Sequence, residues 1–319
     1  MTSLNDVSID AIYIILEYLP FHDLVQLAKV SKIFNYVCNQ QINKNYLPIT
    51  NGKIIPLERL LQVRKVRYHP HLEKFPDILP SLTHLDLSQC TLYGGELRKI
   101  GKIPKLKHLY LNTVNNEWPG VISEFSNLKN LTTFHIPNME VGQLACKFIA
   151  KLTNLENLDI ANNYINCITS FTNLTKLRYL NCRGNRIQKF SFLGSLNNLI
   201  RLNIGGCGLT NLPPEILNLS KLKFLSLYSS SCRWPETLDM LSKLELLELD
   251  LHGNTFDGTL GNISKLKIYS INVSYSNLFN SDYRALSSMK TLKKINIRGN
   301  YIDDLNTKLI FPHANNVIF

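Results

Sequence analysis

LENLDIANNYI at residues 155–165, LRYLNCRGNRI at 177–187 and LKKINIRGNYI at 292–302 are three versions of one short pattern. In the first, Leu158 and Ile160 alternate with Asn157, Asp159 and Ala161, as residues do when successive side chains of a strand point to opposite faces. The pattern therefore predicts a strand with one apolar and one polar side. Asn163, and Asn185 and Asn300 in the same place, follow the strand where the chain must turn. An Asn side chain both donates and accepts, so it can bond backbone groups that a buried turn leaves without partners.

Working outward, the same pattern starts at Leu82, Leu106, Leu131, Leu155, Leu177, Leu199, Leu222, Leu246, Ile268 and Leu292, at intervals of 24, 25, 24, 22, 22, 23, 24, 22 and 24. Between strands, stretches such as LPPEILNLSK carry Leu212, Ile216 and Leu219, which would pack beneath the strand and return the chain to the next one. No unit of this size closes a core alone, so neighbours must share one. From about Leu82 to Ile302 the chain resembles the leucine-rich-repeat family. The resemblance implies an α/β solenoid, a horseshoe with a parallel sheet on its concave face. Cys90 and Cys207 stand in the Asn position as small polar groups, whereas Val114 and Ser230 depart from it. Pro137, which cannot donate to a sheet ladder, predicts local irregularity in the third unit. Phe311, Val317, Ile318 and Phe319 read as an atypical last unit covering the end of the core.

The N-terminal part has a helical period. Ser8 is an N-cap, Asp10 lies in the first turn, and Ile12, Ile15, Leu16 and Leu19 recur on one face before Pro20 stops the helix. A second helix carries Leu24, Leu27 and Ala28, and a third, capped by Ser31, carries Ile33, Phe34, Val37 and Cys38. Ile9, Tyr13 and Ile14 make the first helix apolar on more than one side. A segment of about 35 residues cannot hide that surface in a core of its own. It must lie against the solenoid or against another protein.

VSIDAIYIILEYLPFHDLVQLAKVSKIFNYV, beginning at Val7, resembles an F-box in Ile15-Leu16, Tyr18-Leu19-Pro20, Asp23-Leu24 and Val30-Ser31-Lys32. It departs from the family at Val7-Ser8, where Leu-Pro is usual. The resemblance implies a small all-α segment that docks a Skp-type adaptor and, through it, a cullin, with Val7, Ser8, Ile12, Ile15, Leu16, Leu19, Pro20, Leu24 and Val30 at the contact. The organisation expected is an F-box-like segment at 1–45, a connection at 46–81 and the repeat array with its cap at 82–319. Within the connection, Val63, Val66 and Tyr68 suggest a degenerate first repeat.

Composition fits this division. The chain has 319 residues, 45% hydrophobic and 18% charged, with no run near the roughly 20 apolar residues a membrane helix needs. Its N-terminus lacks the basic residues of an export signal, and its seven cysteines are spaced singly, without a disulfide or zinc framework. A reducing compartment is expected, the cytoplasm first and the nucleus second. The formal charge of +11 keeps nucleic acid and acidic protein surfaces in view as partners.

No phosphate-loop, zinc-protease, Cys-x-x-Cys or nucleophile-elbow motif occurs, so a binding protein without metal or cofactor is expected instead of an enzyme. The glycines of Gly205-Gly206-Cys207-Gly208 fall in a turn, His84, His108, His135 and His252 lie on strand surfaces, and Cys182 replaces an inward Leu. Recognition would then fall to outward residues. Their middle column runs Asp86, Tyr110, His135, Asp159, Asn181, Asn203, Ser226, Asp250, Asn272 and Asn296, mostly polar, with three Asp and neither Lys nor Arg. That column argues against nucleic acid. Tyr179, Arg183, Arg201, Phe224 and Tyr228 gather as a candidate substrate site, since aromatic residues and Arg dominate interface energetics. His108, Tyr110 and His135 form a smaller second group, and Asn272 and Asn296 serve as outward control positions. Three functions compete, in this order: a ubiquitin-ligase substrate receptor, a repeat scaffold or regulatory subunit without a ubiquitin role, and a nucleic-acid binder.

Overall fold

The computed structural model describes residues 65–67, 79–88, 94–112, 118–256, 258–300 and 311–318. The nine expected adaptor contacts, Val7 through Val30, lie outside the described residues, as do Val63, Tyr68, Cys90, Val114, Ile302 and Phe319.

Alternation along each unit produces one short strand, and the strands pair in chain order: β1 (Lys65–Arg67), β2 (His84–Leu87), β3 (His108–Leu111), β4 (Thr133–His135), β5 (Asn157–Asp159), β6 (Tyr179–Asn181), β7 (Arg201–Asn203), β8 (Phe224–Ser226), β9 (Glu248–Asp250), β10 (Ser270–Asn272), β11 (Lys294–Asn296) and β12 (Asn316–Ile318). All twelve form one parallel sheet. The ten units supply β2 to β11. β1 extends the sheet at one end, with Lys65 opposite His84, and β12 at the other, with Lys294 opposite Asn316. Phe311, just before β12, is buried.

The inward residue of each unit's strand, from Leu85, Leu109 and Phe134 through to Ile271 and Ile295, is at most 2% exposed. Each side chain buried this way contributes about 1.5–3 kcal/mol, so this continuous row supplies much of the driving force for stacking. The return segments close the other side of the core: α1 (Gly94–Ile100), α2 (Trp118–Phe125), α3 (Leu144–Ile149), three 3₁₀ turns at Thr169–Asn173, Ser191–Ser195 and Pro214–Asn218, then α4 (Trp234–Leu241), a 3₁₀ turn at Leu260–Lys265 and α5 (Asn280–Ser287). Strands pack about 4.8 Å apart while helices need about 8–10 Å, so the sheet takes the inner, concave side.

The Asn position forms a hydrogen-bonded ladder between units. Asn185, fully buried, accepts from the N–H groups of Asn163 (3.1 Å) and Ile165 (3.0 Å) and donates to the carbonyls of Ile160 (2.9 Å) and Cys182 (2.8 Å). Asn163 serves the unit before it in the same way, and Asn300 serves Ser276, Leu278 and Val273. Cys207 keeps one bond of this set, its Sγ donating to the Cys182 carbonyl (3.2 Å). Ser230 receives help instead of giving it: its N–H donates to Asn254 (2.7 Å), while its buried hydroxyl has no partner among the described residues.

The third unit is more regular than its proline suggested. Ile136 N–H donates to the Asp159 carbonyl (2.8 Å) and Asn138 N–H to the Ala161 carbonyl (2.9 Å), so the ladder runs past Pro137 on both sides. The proline falls where the ladder uses no N–H.

Candidate protein-binding site

The exposed face of the sheet has three columns, and their register is fixed by the strand pairing. Asp86, Tyr110, His135, Asp159, Asn181, Asn203, Ser226, Asp250, Asn272 and Asn296 do stand opposite one another in the middle column. Most of them, however, turn back onto their own chain. Asp86, Asp159, Asn181, Asn203, Asp250, Asn272 and Asn296 each accept the backbone N–H two residues on, at 2.9–3.2 Å. They also bond sideways: Asn181 Nδ2 donates to Asp159 (3.0 Å), and Asp250 receives Ser226 Oγ (2.9 Å) and Asn272 Nδ2 (2.9 Å). Asx side chains favour this local bond, which ends each strand and starts its turn. The middle column is therefore part of the fold, and Asn272 and Asn296 are not the neutral control positions the sequence suggested.

The five substrate-site candidates fall in the columns on either side. Tyr179, Arg201 and Phe224 are adjacent partners in the first column. Arg201 lies over the Phe224 ring, its guanidinium carbon 4.1 Å from the ring centre. Its Nη2 is 3.9 Å from Glu248 Oε2, with both side chains about half exposed (47% and 49%). An ion pair this exposed contributes at most about 1 kcal/mol. Arg183 and Tyr228 stand in the third column, with Arg183 5.2 Å above the Tyr228 ring. The structure thus resolves the expected cluster into two cation–ring pairs flanking a strip of Asn181, Asn203 and Ser226.

Tyr179 links the first pair to the second group. Its ring is 6.0 Å from His135, which meets Tyr110 edge-on at 5.0 Å, while His108 Nδ1 bonds Thr133 Oγ1 (3.0 Å) and stacks on His84 at 4.1 Å. Burial pushes the Tyr179 hydroxyl pKa up, with the Asp159 charge adding to it. Burial also lowers the His135 pKa, against an opposing pull from Asp159.

Two residues that sequence reasoning passed over extend the third column. His252 stacks on Tyr228 (5.1 Å, 9° between planes) and meets Tyr275 edge-on at 5.4 Å. His252 appeared only as a strand-surface residue, and Tyr275 lies one place beyond the alternation, in the turn, with φ of 52°. A signal was present in the spacing of Tyr228, His252 and Tyr275 at successive unit ends, but a strand period does not see a turn residue. Cys182 is buried, its thiol held above the usual range by the bond to Cys207 and by burial, which suits a core residue. Among the described residues, no three His, Cys, Asp or Glu side chains group as metal ligands would, and no helix is long and apolar enough to cross a membrane.

This repeating strand, ladder and return is shared with known proteins. The family model described as a leucine-rich repeat region matches residues 154–314, and the F-box domain model matches residues 4–46. The chain belongs to the leucine-rich-repeat family and carries an F-box domain ahead of the repeats. It is similar to human Toll-like receptor 8, 27% identical over 200 residues covering 48% of this chain and 19% of the receptor. Receptor-like protein 18 of Arabidopsis thaliana is 30% identical over 197 residues, 58% of this chain and 22% of that protein. The chain thus spans about a fifth of the length of the curated relatives it matches. In three dimensions it resembles an internalin from Listeria monocytogenes (TM-score 0.60, 19% identity, 94% of each chain) and a leucine-rich-repeat protein from Leptospira interrogans (0.56, 21%, 82% of this chain and 73% of that one). These two likenesses concern the fold alone.

Proposed function

We propose that this protein is the substrate-recognition subunit of a Skp-cullin-F-box ubiquitin ligase. The observation that carries the reading is the order of its parts: an F-box at 4–46 followed by a repeat array whose sheet face carries cation–ring pairs. The F-box would dock the Skp-type adaptor through Val7, Ser8, Ile12, Ile15, Leu16, Leu19, Pro20, Leu24 and Val30, and the adaptor would bring the cullin. The array would hold the target protein, with Tyr179, Arg183, Arg201, Phe224 and Tyr228 as its main contacts. Guanidinium groups pair with carboxylate or phosphate, and the rings bury an apolar neighbour, so the target segment is acidic or phosphorylated. The subunit itself is non-catalytic, and it works in the cytoplasm or nucleus, where its ligase partners and free thiols fit a reducing environment.

The test is affinity purification of the tagged full chain. Wild type should bring down the Skp adaptor and cullin. Leu16→Asp with Leu19→Asp should lose both, because two carboxylates cannot enter an apolar contact without a large desolvation penalty. Arg201→Ala should keep both and lose the target. Recovery of the adaptor by a folded Leu16→Asp, Leu19→Asp variant would return the protein to the class of repeat scaffolds without a ubiquitin role.

A further inference from the structure

The third column carries a run of rings between two arginines, Arg183 and Arg298. Arg183 lies on Tyr228, Tyr228 stacks on His252, and His252 meets Tyr275. Arg298 follows on the next unit, its N–H held by Asn296 and its side chain exposed. The backbone is cut away to seat these rings. A Cβ at Gly299, which has φ of 70°, would stand 2.5 Å from the Tyr275 ring, and a Cβ at Gly205 would stand 2.7 Å from Tyr228 Cβ. A side chain at Gly299 would dislodge the Tyr275 ring, and one at Gly205 would displace the Tyr228 main chain that carries its ring. His252 is tied down by its Nδ1, 2.7 Å from Ser274 Oγ, which in turn donates to Asn272 Oδ1 (2.7 Å). Tyr275, 53% exposed, keeps a left-handed backbone uncommon for a large residue.

Charge tells what would lie on this track. Among the described residues neither Arg183 nor Arg298 has a carboxylate within ion-pair distance, unlike Arg201, which has Glu248. The carboxylates of the neighbouring column, Asp159 and Asp250, are already occupied by backbone N–H groups, Asn side chains and Ser226. The track therefore offers two guanidinium groups that have no carboxylate partner among the described residues, around a row of ring faces. Arg183 and Arg298 follow β6 and β11, five strand steps apart, or about 24 Å at about 4.8 Å per step. An extended peptide covers that distance in about seven residues.

We propose that the track Arg183–Tyr228–His252–Tyr275–Arg298 seats an extended acidic peptide segment of the target, with two anionic side chains about seven residues apart and apolar residues between them. The inference rests on the protein-binding reading above and shifts its centre from the five-residue cluster toward β11. The two anions pair with the end arginines, and the intervening apolar side chains lie across Tyr228, His252 and Tyr275.

The experiment is panning of a phage-displayed library of random peptides, about twelve residues long, on the immobilised full chain, followed by affinity measurements with the enriched peptides. Enrichment should favour two acidic positions about six to eight residues apart around apolar ones. Affinity should fall about tenfold or more in Arg183→Ala, Arg298→Ala and Tyr275→Ala, with thermal midpoints confirming that each variant is folded. It should also fall as salt rises, because the end contacts are exposed charges. Enriched peptides that lack the acidic pair, or that bind all three variants as well as wild type, overturn the track. Peptides that lose affinity only in Arg201→Ala overturn it too, but leave the array a protein binder centred on the first column. An array that enriches nothing counts against both. Binding of single-stranded oligo-dT that is lost in the same three variants, with no peptide enriched, overturns the proposal in favour of nucleic acid.

Discussion

The middle column of the sheet, where no residue is exposed, and the columns beside it, where Arg183 and Arg201 are, share one face yet are used in opposite ways. In the middle, Asp159, Asn181, Asp250 and Asn272 direct their oxygens to N–H groups of their own turns and their amides to the next carboxylate. Beside them, Arg201 rests on Phe224 and Arg183 on Tyr228, contacts worth about 0.5–1 kcal/mol at exposed sites, which a partner can replace at small cost. An outward position alone does not make a residue available. What separates the columns is whether the polar atoms already have partners.

The largest effect on stability is expected one layer down, in the core. Asn185→Leu strips the Asn163 and Ile165 N–H groups and the Ile160 carbonyl of the side chain that pairs them at a fully buried position, the Cys182 carbonyl keeping Cys207 Sγ, and each group left unpaired costs about 1–3 kcal/mol. Urea unfolding should show a loss above about 3 kcal/mol, with Asn163→Leu close behind. An unchanged midpoint in both variants would refute the ladder as a source of stability. Next comes Asp250→Ala, which removes the acceptor for His252 N–H, Ser226 Oγ and Asn272 Nδ2. These atoms are only partly buried, and water can replace some of the bonds, so about 2 kcal/mol is expected. If Asp250→Ala unfolds like wild type, the middle column is as free as its neighbours and the distinction fails.

Smaller still is the effect on stability of changing the flanking columns. Arg201→Ala and Tyr228→Ala should stay within about 0.5 kcal/mol of wild type in urea, while target affinity drops by about 2 kcal/mol or more. Ser270→Ala, in the first column of β10, is a better control than Asn272, whose loss would disturb the Ser274 turn and the bond to Asp250. A drop in stability that matches the drop in affinity would mean that the flanking residues also belong to the fold.

Much of the array is legible in the amino-acid sequence. The period of 22–25 residues placed every strand from β2 to β11, and alternation separated inward Leu180 and Leu202 from outward Tyr179 and Arg201. The Asn position was readable because a polar residue recurring in an apolar register must have a structural partner. Alternation could not show which outward atoms were already bonded: Asn181 and Arg183 both point away from the core, but only the first closes a turn. Nor could it find Tyr275, since the strand period ends before the left-handed turn begins. The residues expected to meet the adaptor, from Val7 to Val30, rest on the F-box match at 4–46 and lie outside the described residues.

His135 is the exception within the middle column. An Asn or Asp at this position would look for the N–H two residues on, and Pro137 has none. With no turn to close, the position carries a ring packed between Tyr110 and Tyr179, and its Nε2 has no hydrogen-bond partner among the described residues. Burial lowers its pKa below the usual 6.5, so the folded chain resists a proton that the unfolded chain accepts. Above pH 6.5 both states are neutral and the ring's packing is retained in full. As pH falls below 6.5 the unfolded state gains protons first, and stability declines until the folded imidazole is also protonated. His135→Phe cannot titrate. Urea midpoints at about pH 8 and about pH 5 should therefore show a smaller acid loss in the variant than in wild type, the smallest effect of this set. An equal acid loss in both would mean that the proton uptake of His135 does not distinguish the folded from the unfolded chain, and would overturn this account of its burial.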